Sequence, residues 1–156
     1  MSAMPEAKTS SKKSSAKARS FQAADPDILG WVAAAVDAAA DKKAFDLKIL
    51  HLGAVTDFTD FFVLASGSNE RQVQTIAEAI EASLRGRKVR PLHIEGASRA
   101  QWVLLDYGDF VCHIFDDERR AYYALERLWS DAPDVTAHFA ATPPAGAAAN
   151  NGTGGD

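Results

Sequence analysis

The sequence predicts a mixed α/β (α+β) fold in which helices cover one sheet of about five strands. Two stretches, residues 26–39 and 73–84, repeat apolar residues at the spacing of amphipathic helices. Between and after them lie short apolar or alternating runs of strand length. The predicted order is α-β-β-α-β-β-β-α, which is typical of helices layered on a sheet. Beyond two hairpins, the pattern does not predict which strands pair.

The first half of the domain supplies a helix and two strands. Asp25 is a typical N-cap, and Pro26 suits the first helical position. Residues 46–53 alternate in polarity, which predicts a strand. Residues 61–65 are continuously apolar, which predicts a strand buried on both faces, and residues 56–60 predict the turn between the two. The apolar stripe of the first helix consists of Ile28, Leu29, Val32, Val36 and Ala39.

A second helix is predicted after the segment Gly67-Ser68-Asn69. Asn69 is expected as its N-cap, and Gln72 stands at the third helical position, so the pair resembles a capping box. Gly86 is predicted to end the helix. Its apolar stripe consists of Val73, Ile76, Ala77, Ile80 and Leu84.

The second half of the domain predicts three strands and a helix. The strands are expected at residues 89–95, 102–107 and 109–115, and Gly108 centres a tight hairpin between the last two. The helix is expected over residues 117–130. Its apolar face carries Tyr122, Leu125 and Trp129, and Trp129 is expected in the core.

Charge and composition divide the chain into three parts. Residues 1–24 carry a net charge of +4 and too few apolar side chains to offset chain entropy, which predicts a disordered basic tail. Residues 133–156 are rich in Pro, Ala, Gly and Asn and predict a second disordered tail. The folded domain is therefore expected at residues 25–132. Because residues 25–130 carry −5, basic partners are favoured and sequence-specific nucleic-acid binding is not expected.

The chain shows no signal for a membrane or for secretion. No apolar run approaches the roughly 20 residues of a membrane-spanning helix, and the N-terminus lacks the apolar segment of a secretory signal. Cys112 stands alone, which fits a reducing compartment. A cytoplasmic location is therefore expected. The scarcity of acids in residues 1–24 leaves an organellar transit peptide, and hence an organellar matrix, as the alternative.

Candidate catalytic and metal-binding residues are few. Nucleotidyl transfer requires two or three carboxylates that hold Mg²⁺ beside a Gly-Ser turn. Gly67-Ser68 supplies such a turn, but residues 89–94 contain no Asp or Glu, so no catalytic residue is assigned. His51, His93 and His113 fall on predicted strands, and His93 shares a face with Glu95, but no Cys or His pair has the spacing of metal ligands. Buried or half-buried histidines that donate to backbone or carboxylate partners are therefore favoured over zinc ligands. Neither a metal nor another cofactor is expected, and Cys112 is interpreted as an inert core thiol.

The strongest candidate for a binding surface lies on the strand at residues 102–107. Alternation places Trp102, Leu104 and Asp106 on one face and Val103, Leu105 and Tyr107 on the other. An exposed tryptophan beside an acid is typical of a binding hot spot, and a tryptophan buried under a helix is the equal alternative.

Three charged residues are candidates for the rim of this surface, namely Arg71, Glu95 and Arg99. Arg71 lies near a helix N-terminus, where the helix dipole disfavours a cation, so a partner such as Asp60 or Glu95 is expected. Glu95 itself is the second rim candidate. A solvated side chain is the equal alternative for each.

Four blocks of residues together resemble one known family. The first contains Asp60-Phe61-Phe62-Val63, Ala65-Ser66-Gly67 and Arg71-Gln72-Val73, and the second is His93-Ile94-Glu95-Gly96. The third runs from Trp102 to Asp109 and continues with Val111 and His113-Ile114-Phe115, and the fourth contains Arg120, Tyr123, Leu125-Glu126, Leu128-Trp129 and Ala132-Pro133. In this order they resemble the ribosomal silencing factors, also called the Iojap-related family. Each block alone is weak, but four in order over almost the whole domain are specific.

The resemblance implies a fold and a function. It implies a fold like that of the nucleotidyltransferases, without nucleotidyl-transfer activity. A nucleotidyltransferase-like enzyme remains the alternative. It implies binding to the large ribosomal subunit through its protein number fourteen, which blocks the small subunit and represses translation when nutrients are short. It also implies that the free protein can form a homodimer. The tryptophan and the acid that follows it are associated with ribosomal-protein binding in the family, and the expected binding residues are therefore Trp102, Asp106, Tyr107, Leu104, Arg71 and Glu95.

Overall fold

The computed structural model describes residues 20–140. These residues form one five-stranded sheet with helices packed on it. Its spatial order is β1-β2-β5-β4-β3, with β2 and β5 parallel and all other neighbours antiparallel. The strands are β1 (Phe45–His51), β2 (Phe61–Gly67), β3 (His93–Glu95), β4 (Trp102–Asp106) and β5 (Phe110–Asp116). The helices are α1 (Pro26–Asp41), α2 (Glu70–Gly86), α3 (Asp117–Tyr123), α4 (Leu125–Leu128) and α5 (Thr136–Ala140). The predicted mixed fold, with about five strands and flanking helices, is confirmed.

The sheet has an apolar core on each face. The first core lies under α1 and α2, where the predicted stripe residues of α2, including Val73, Ile76 and Ile80, are buried against the sheet. The second core lies on the other face, where Leu125 and Trp129 cover residues of the central strands. Every residue of β2 is buried, as its continuous apolar run predicts. Trp129 is 2% exposed, which confirms its place in the core.

Both long helices begin at the predicted caps. The Asp25 carboxylate accepts a hydrogen bond from the Asp27 N–H at 2.8 Å. The Asn69 side chain accepts one from the Gln72 N–H at 2.8 Å, and Gln72 Oε1 accepts one from the Ser68 N–H at 2.6 Å. The reciprocal bond thus reaches the residue before the cap rather than the cap itself. Each pair satisfies N–H groups that the first helical turn leaves without partners.

Both long helices also end in the same backbone motif. At the end of α1, the Ala44 N–H bonds to the Ala39 carbonyl, and at the end of α2 the Val89 N–H bonds to the Leu84 carbonyl. These are Schellman bonds, which require a left-handed residue one position earlier. Lysines occupy that position, with φ of 68° at Lys43 and 66° at Lys88. The helix α2 ends at Gly86 as predicted, but the left-handed position falls on Lys88.

Two predicted elements are shorter than expected. The strand predicted at residues 89–95 contains only His93–Glu95, because the Val89 N–H bonds to the end of α2 and Pro91 has no N–H to donate. The helix predicted at 117–130 is broken at Ala124, whose φ of 44° is left-handed. The break turns α4 away from α3, so Tyr122 is 79% exposed instead of sharing a buried face with Leu125 and Trp129.

The packed domain extends beyond residues 25–132 at both ends. The Phe21 ring packs edge-on against His51 and Phe61, with centroid distances of 5.7 and 6.1 Å. The His51 N–H bonds to the Pro133 carbonyl at 2.8 Å, and Phe139 is 5% exposed. Residues 20–24 and 133–140 therefore belong to the domain rather than to disordered tails. The remainder of both predicted tails, residues 1–19 and 141–156, lies outside the described residues.

Across residues 20–140, no helix combines the length and apolar character needed to cross a membrane.

The left-handed lysines generate a stability prediction. We expect Lys43→Gly and Lys88→Gly each to raise the free energy of unfolding by about 0.5–1 kcal/mol, because glycine adopts positive φ without the clash of a Cβ. Urea unfolding at constant m-value measures the change. Lys42→Gly is the matched control. Lys42 lies at the end of the same helix with φ of −99°, which any residue can adopt. Glycine there only increases the conformational entropy of the unfolded chain, so this variant should lose stability. Equal destabilisation by Lys42→Gly and Lys43→Gly would contradict the argument.

Candidate functional site

Among the described strands, β3 forms an outer edge of the sheet and pairs only with β4. Glu95 lies opposite Leu104, Ile94 opposite Leu105, and His93 opposite Asp106. Because opposed residues share a face, Ile94 lies on the face of α1 and α2, whereas the side chains of His93, Glu95 and Asp106 lie on the other face. The predicted alternation of β4 is confirmed, since Trp102 and Leu104 belong to the second core and Val103 and Leu105 to the first.

Trp102 is a core residue. It is 6% exposed, and its ring lies against Phe115 and Tyr123 at centroid distances of 5.0 and 4.5 Å. Its Nε1–H donates to His113 Nδ1 at 3.1 Å. The expectation of an exposed tryptophan is therefore wrong, because Tyr123 at the end of α3 covers the ring. The side chain can support a binding surface from beneath, but little of it remains for direct contact with a partner.

Leu104 and Tyr107 are buried as well. Leu104 is 3% exposed in the second core, and Tyr107 is 7% exposed in the first. The Tyr107 ring stacks on Phe110 at 4.8 Å. Burial raises the pKa of the Tyr107 hydroxyl well above its ordinary value, with smaller contributions from Cys112 and Glu81. Three of the six expected binding residues thus lie in the interior.

Asp106 and Glu95 reach the surface at the β3 edge. Both are partly exposed. The Asp106 carboxylate accepts a hydrogen bond from the Gly108 N–H at 2.8 Å, which fixes it in the β4–β5 turn. Glu95 Oε2 lies 2.7 Å from His93 Nε2. The fold therefore holds carboxylates in place on two adjacent strands.

Two exposed apolar residues flank these acids and were not identified from the sequence. Leu92 is 76% exposed and Ile94 is 40% exposed. A Cβ on Gly108 would lie 3.1 Å from Leu92 Cδ1, so the leucine lies against the turn where Gly108 has φ of 87°. We call Leu92, His93, Ile94, Glu95 and Asp106 the β3 edge surface. The one feature of the sequence that could have predicted this exposed edge is Pro91, because proline within a sheet is confined to edge strands.

Arg71 lies apart from this surface. It lines a groove of 490 Å³ at the start of α2, with Ser98, Arg99, Glu70 and Glu78 among its neighbours. Asp60 precedes β2 and Arg71 follows it, so the roughly 20 Å length of a seven-residue strand separates them and excludes that ion pair. The Glu95 carboxylate contacts His93 instead. Neither expected partner of Arg71 is therefore supported.

The Gly67-Ser68 turn is packed against α2. A Cβ on Gly67 would lie 3.1 Å from the Val73 backbone nitrogen, so the glycine permits close packing. The Ser68 N–H is already bonded to Gln72. Within residues 20–140 no group of three or more His, Cys, Asp or Glu side chains is arranged to hold a metal. This turn therefore serves the local packing, and no carboxylate cluster accompanies it.

His51, His113 and Cys112 are buried and fit structural roles, whereas the expectation of a buried or half-buried histidine is wrong for His93. His51 is 2% exposed, and His113 is fully buried and accepts the Trp102 hydrogen bond. His93 is exposed and lies beside Glu95. Cys112 is fully buried, and burial raises the pKa of its thiol, which disfavours the reactive thiolate.

Comparison with known proteins supplies the family. Residues 25–154 match the family described as "Ribosomal silencing factor during starvation". The chain belongs to this family. The members of the family are regulatory proteins rather than enzymes.

Curated relatives agree with this assignment. The ribosomal silencing factor of Halalkalibacterium halodurans is 42% identical over 101 residues, which cover 65% of this chain and 86% of that protein. The one of Bacillus subtilis is 40% identical over 106 residues, covering 68% and 87%. A mouse protein named "Mitochondrial assembly of ribosomal large subunit protein 1" is 28% identical over 92 residues, covering 57% of this chain and 40% of that protein.

Solved structures agree with the fold. A crystal structure of a Chromobacterium violaceum protein has a TM-score of 0.65 at 31% identity and covers 66% of this chain and 86% of that one. A Bacillus halodurans crystal structure has a TM-score of 0.61 at 37% identity, covering 71% and 98%.

The burial of Trp102 generates a stability prediction. We expect Trp102→Ala to lower the free energy of unfolding by about 3–5 kcal/mol, because it empties a large site in the second core. Trp102→Phe keeps an aromatic ring but removes the indole N–H that donates to His113 Nδ1, so a loss of about 1–3 kcal/mol is expected. Chemical denaturation measures both. Tyr122→Ala, at a ring 79% exposed, should change stability by less than about 0.5 kcal/mol. A Trp102→Ala variant as stable as Tyr122→Ala would contradict the burial.

Proposed function

We propose that this protein binds the large ribosomal subunit through ribosomal protein number fourteen and blocks the small subunit from joining. Translation then falls when nutrients are short. The observation that carries the proposal is the β3 edge surface of a silencing-factor family member, which presents exposed apolar side chains on one face of the sheet edge and acidic side chains on the other. The mouse relative is also named for the assembly of the large ribosomal subunit.

The apolar part of the surface supplies the buried contact. Leu92 and Ile94 expose large side chains beside the end of the sheet. Interface energy concentrates in a few such residues when a partner excludes water from them. Ile94 lies in the three-residue strand β3, and Leu92 directly precedes it. Among residues 20–140 this strand pairs on one side only, so a partner can approach its other edge.

The acidic part of the surface supplies attraction and orientation. Asp106 and Glu95 lie on one face of the sheet edge. Residues 20–140 contain 12 basic and 19 acidic side chains, so their net charge is −7. A basic ribosomal protein is attracted to such a domain at long range, which raises the association rate and makes it sensitive to salt.

The buried residues of β4 act as support in this proposal. Trp102 and Leu104 lie on β4, the strand that carries Asp106, and anchor it in the second core. Tyr107 does the same in the first core. Arg71, at the start of α2, remains a candidate for a separate contact at the rim.

Inhibition follows from occupancy rather than chemistry. A domain of this size, docked on the face where the subunits meet, occupies volume that the small subunit needs. If the free protein forms a homodimer through the same exposed leucine and isoleucine, dimerisation competes with ribosome binding. We place this activity in the cytoplasm, with an organellar matrix as the alternative, since organellar relatives exist.

Two variants at the β3 edge surface test the proposal. We expect Ile94→Asp or Asp106→Lys to weaken binding to purified large subunits by about 100-fold, which corresponds to about 3 kcal/mol. The first places a charge in the apolar contact, and the second reverses an attraction. Co-sedimentation measures the affinity, and a light-scattering assay measures whether the subunits join again.

Matched controls separate docking from general damage. Leu128 is 44% exposed, similar to the 40% of Ile94, so Leu128→Asp should bind normally. Asp41→Lys reverses an exposed acid at the end of α1, far from the β3 edge surface, and should also bind normally. Folded Ile94→Asp and Asp106→Lys variants that bind like the wild type would show that the site lies elsewhere. A wild type that does not bind the large subunit would refute the function itself.

A further inference from the structure

Four cations crowd the turn that follows α2. Arg85, Arg87, Lys88 and Arg90 are all exposed, although the described domain is acidic overall. We call residues 85–90 the basic turn. Such a concentration of one sign opposes the charge of the rest of the domain, so it attracts a different class of partner from the acidic β3 edge surface.

Nearby acids neutralise only part of this charge. Glu81 stands one helical turn before Arg85, the spacing at which side chains on a helix meet. Burial raises the pKa of Asp37, and the charge of Arg87 partly opposes that shift. Among residues 20–140, no carboxylate lies within 4.0 Å of any of the four cations.

The backbone holds the basic turn in one shape. The Lys88 N–H bonds to the Arg85 carbonyl and the Val89 N–H to the Leu84 carbonyl, both at 2.9 Å. Pro91 fixes the next φ, and the Leu92 N–H bonds to the Asp106 carbonyl at 2.7 Å. The cations therefore project from a fixed turn, which lowers the entropy lost on binding.

The basic turn lies beside the β3 edge surface. Arg90 is two residues before Leu92, and β3 begins where His93 pairs with Asp106. The exposed Lys42 and Lys43 offer a contrast. They follow α1 and precede β1, whose first residue Phe45 pairs with Ser66 at the far end of β2. One cationic helix end thus adjoins the proposed docking surface, and the other lies at the opposite end of the sheet.

We infer that the basic turn binds the phosphate backbone of RNA next to the protein contact at the β3 edge surface. This inference rests on the proposed function, since a ribosomal partner presents RNA beside protein. Arginine pairs with phosphate through two parallel N–H donors, and three of the four cations are arginines. Contacts of this kind read no base sequence, and they release counterions from the RNA.

Salt dependence tests the inference on the large subunit. The variant Arg87→Gln, Lys88→Asn, Arg90→Gln removes three cations, and asparagine tolerates the left-handed position of Lys88. We expect the slope of log affinity against log salt concentration to shrink by about 2–3, since each phosphate contact contributes roughly 0.7–0.9. The matched control, Lys42→Gln with Lys43→Asn, should keep the wild-type slope. Urea unfolding establishes that both variants are folded.

An isolated RNA supplies the second arm. We expect the wild type to bind a duplex RNA of about 20 base pairs weakly at low salt, with the triple variant losing that binding and the control keeping it. A polyglutamate peptide of similar charge should bind less well than RNA. Tighter polyglutamate binding would assign the turn to an acidic protein and overturn the inference.

The two arms separate this inference from the proposed function. An unchanged salt slope in the triple variant, with no RNA binding by the wild type, would overturn the RNA contact while subunit binding stands. If the wild type does not bind large subunits, the proposed function fails, and RNA-duplex binding alone decides whether the basic turn recognises phosphate.

Discussion

The hydrogen bond from Trp102 to His113 anchors the part of the sheet on which the proposed function depends. It joins β4 to β5 inside the second core, at 3.1 Å and with both residues buried. Because β3 pairs only with β4 among the described strands, the placement of the outer edge depends on the β4–β5 pairing, which this side-chain bond reinforces. A bond to a buried acceptor is costly to leave unmade, so the pair also fixes the orientation of both rings. The exposed residues of the β3 edge surface therefore rest on a rigid support.

The two faces of the sheet are covered to different extents. Two long helices cover the first core, and their caps and shared Schellman ends define where they begin and end. Two short helices cover only part of the second face, with Tyr123 over Trp102 and Trp129 over the central strands. Beside this thinner cover, the sheet ends in a three-residue strand with exposed Leu92 and Ile94. Acidic and basic surfaces meet at that edge, which suits a partner made of basic protein and RNA.

The sequence predicted the elements that depend on local patterns and failed where tertiary contacts decide. The stripe of α2, the cap at Asn69 and the hairpin at Gly108 follow from spacing and turn chemistry, and the structure contains all three. Alternation correctly predicted that Trp102 lies on an apolar face of β4. Which element covers that face depends on the helix break at Ala124, and alanine is not a residue that predicts a break. For the same reason Tyr122 was expected to be buried. Phe21 packs against His51, and Phe139 packs against Phe61, although both phenylalanines lie in flanking segments of biased composition. Because these contacts join residues far apart in the sequence, no local pattern predicts them.

The central claim is that the β3 edge of the sheet is the surface that meets the large subunit. Cryo-electron microscopy of the full chain bound to purified large subunits tests it most directly. The account predicts that Leu92, Ile94 and Asp106 contact ribosomal protein number fourteen, while Trp102 remains in the core with its bond to His113 intact. A complex in which the β3 edge faces solvent, and another face of the domain carries the contact, would contradict it.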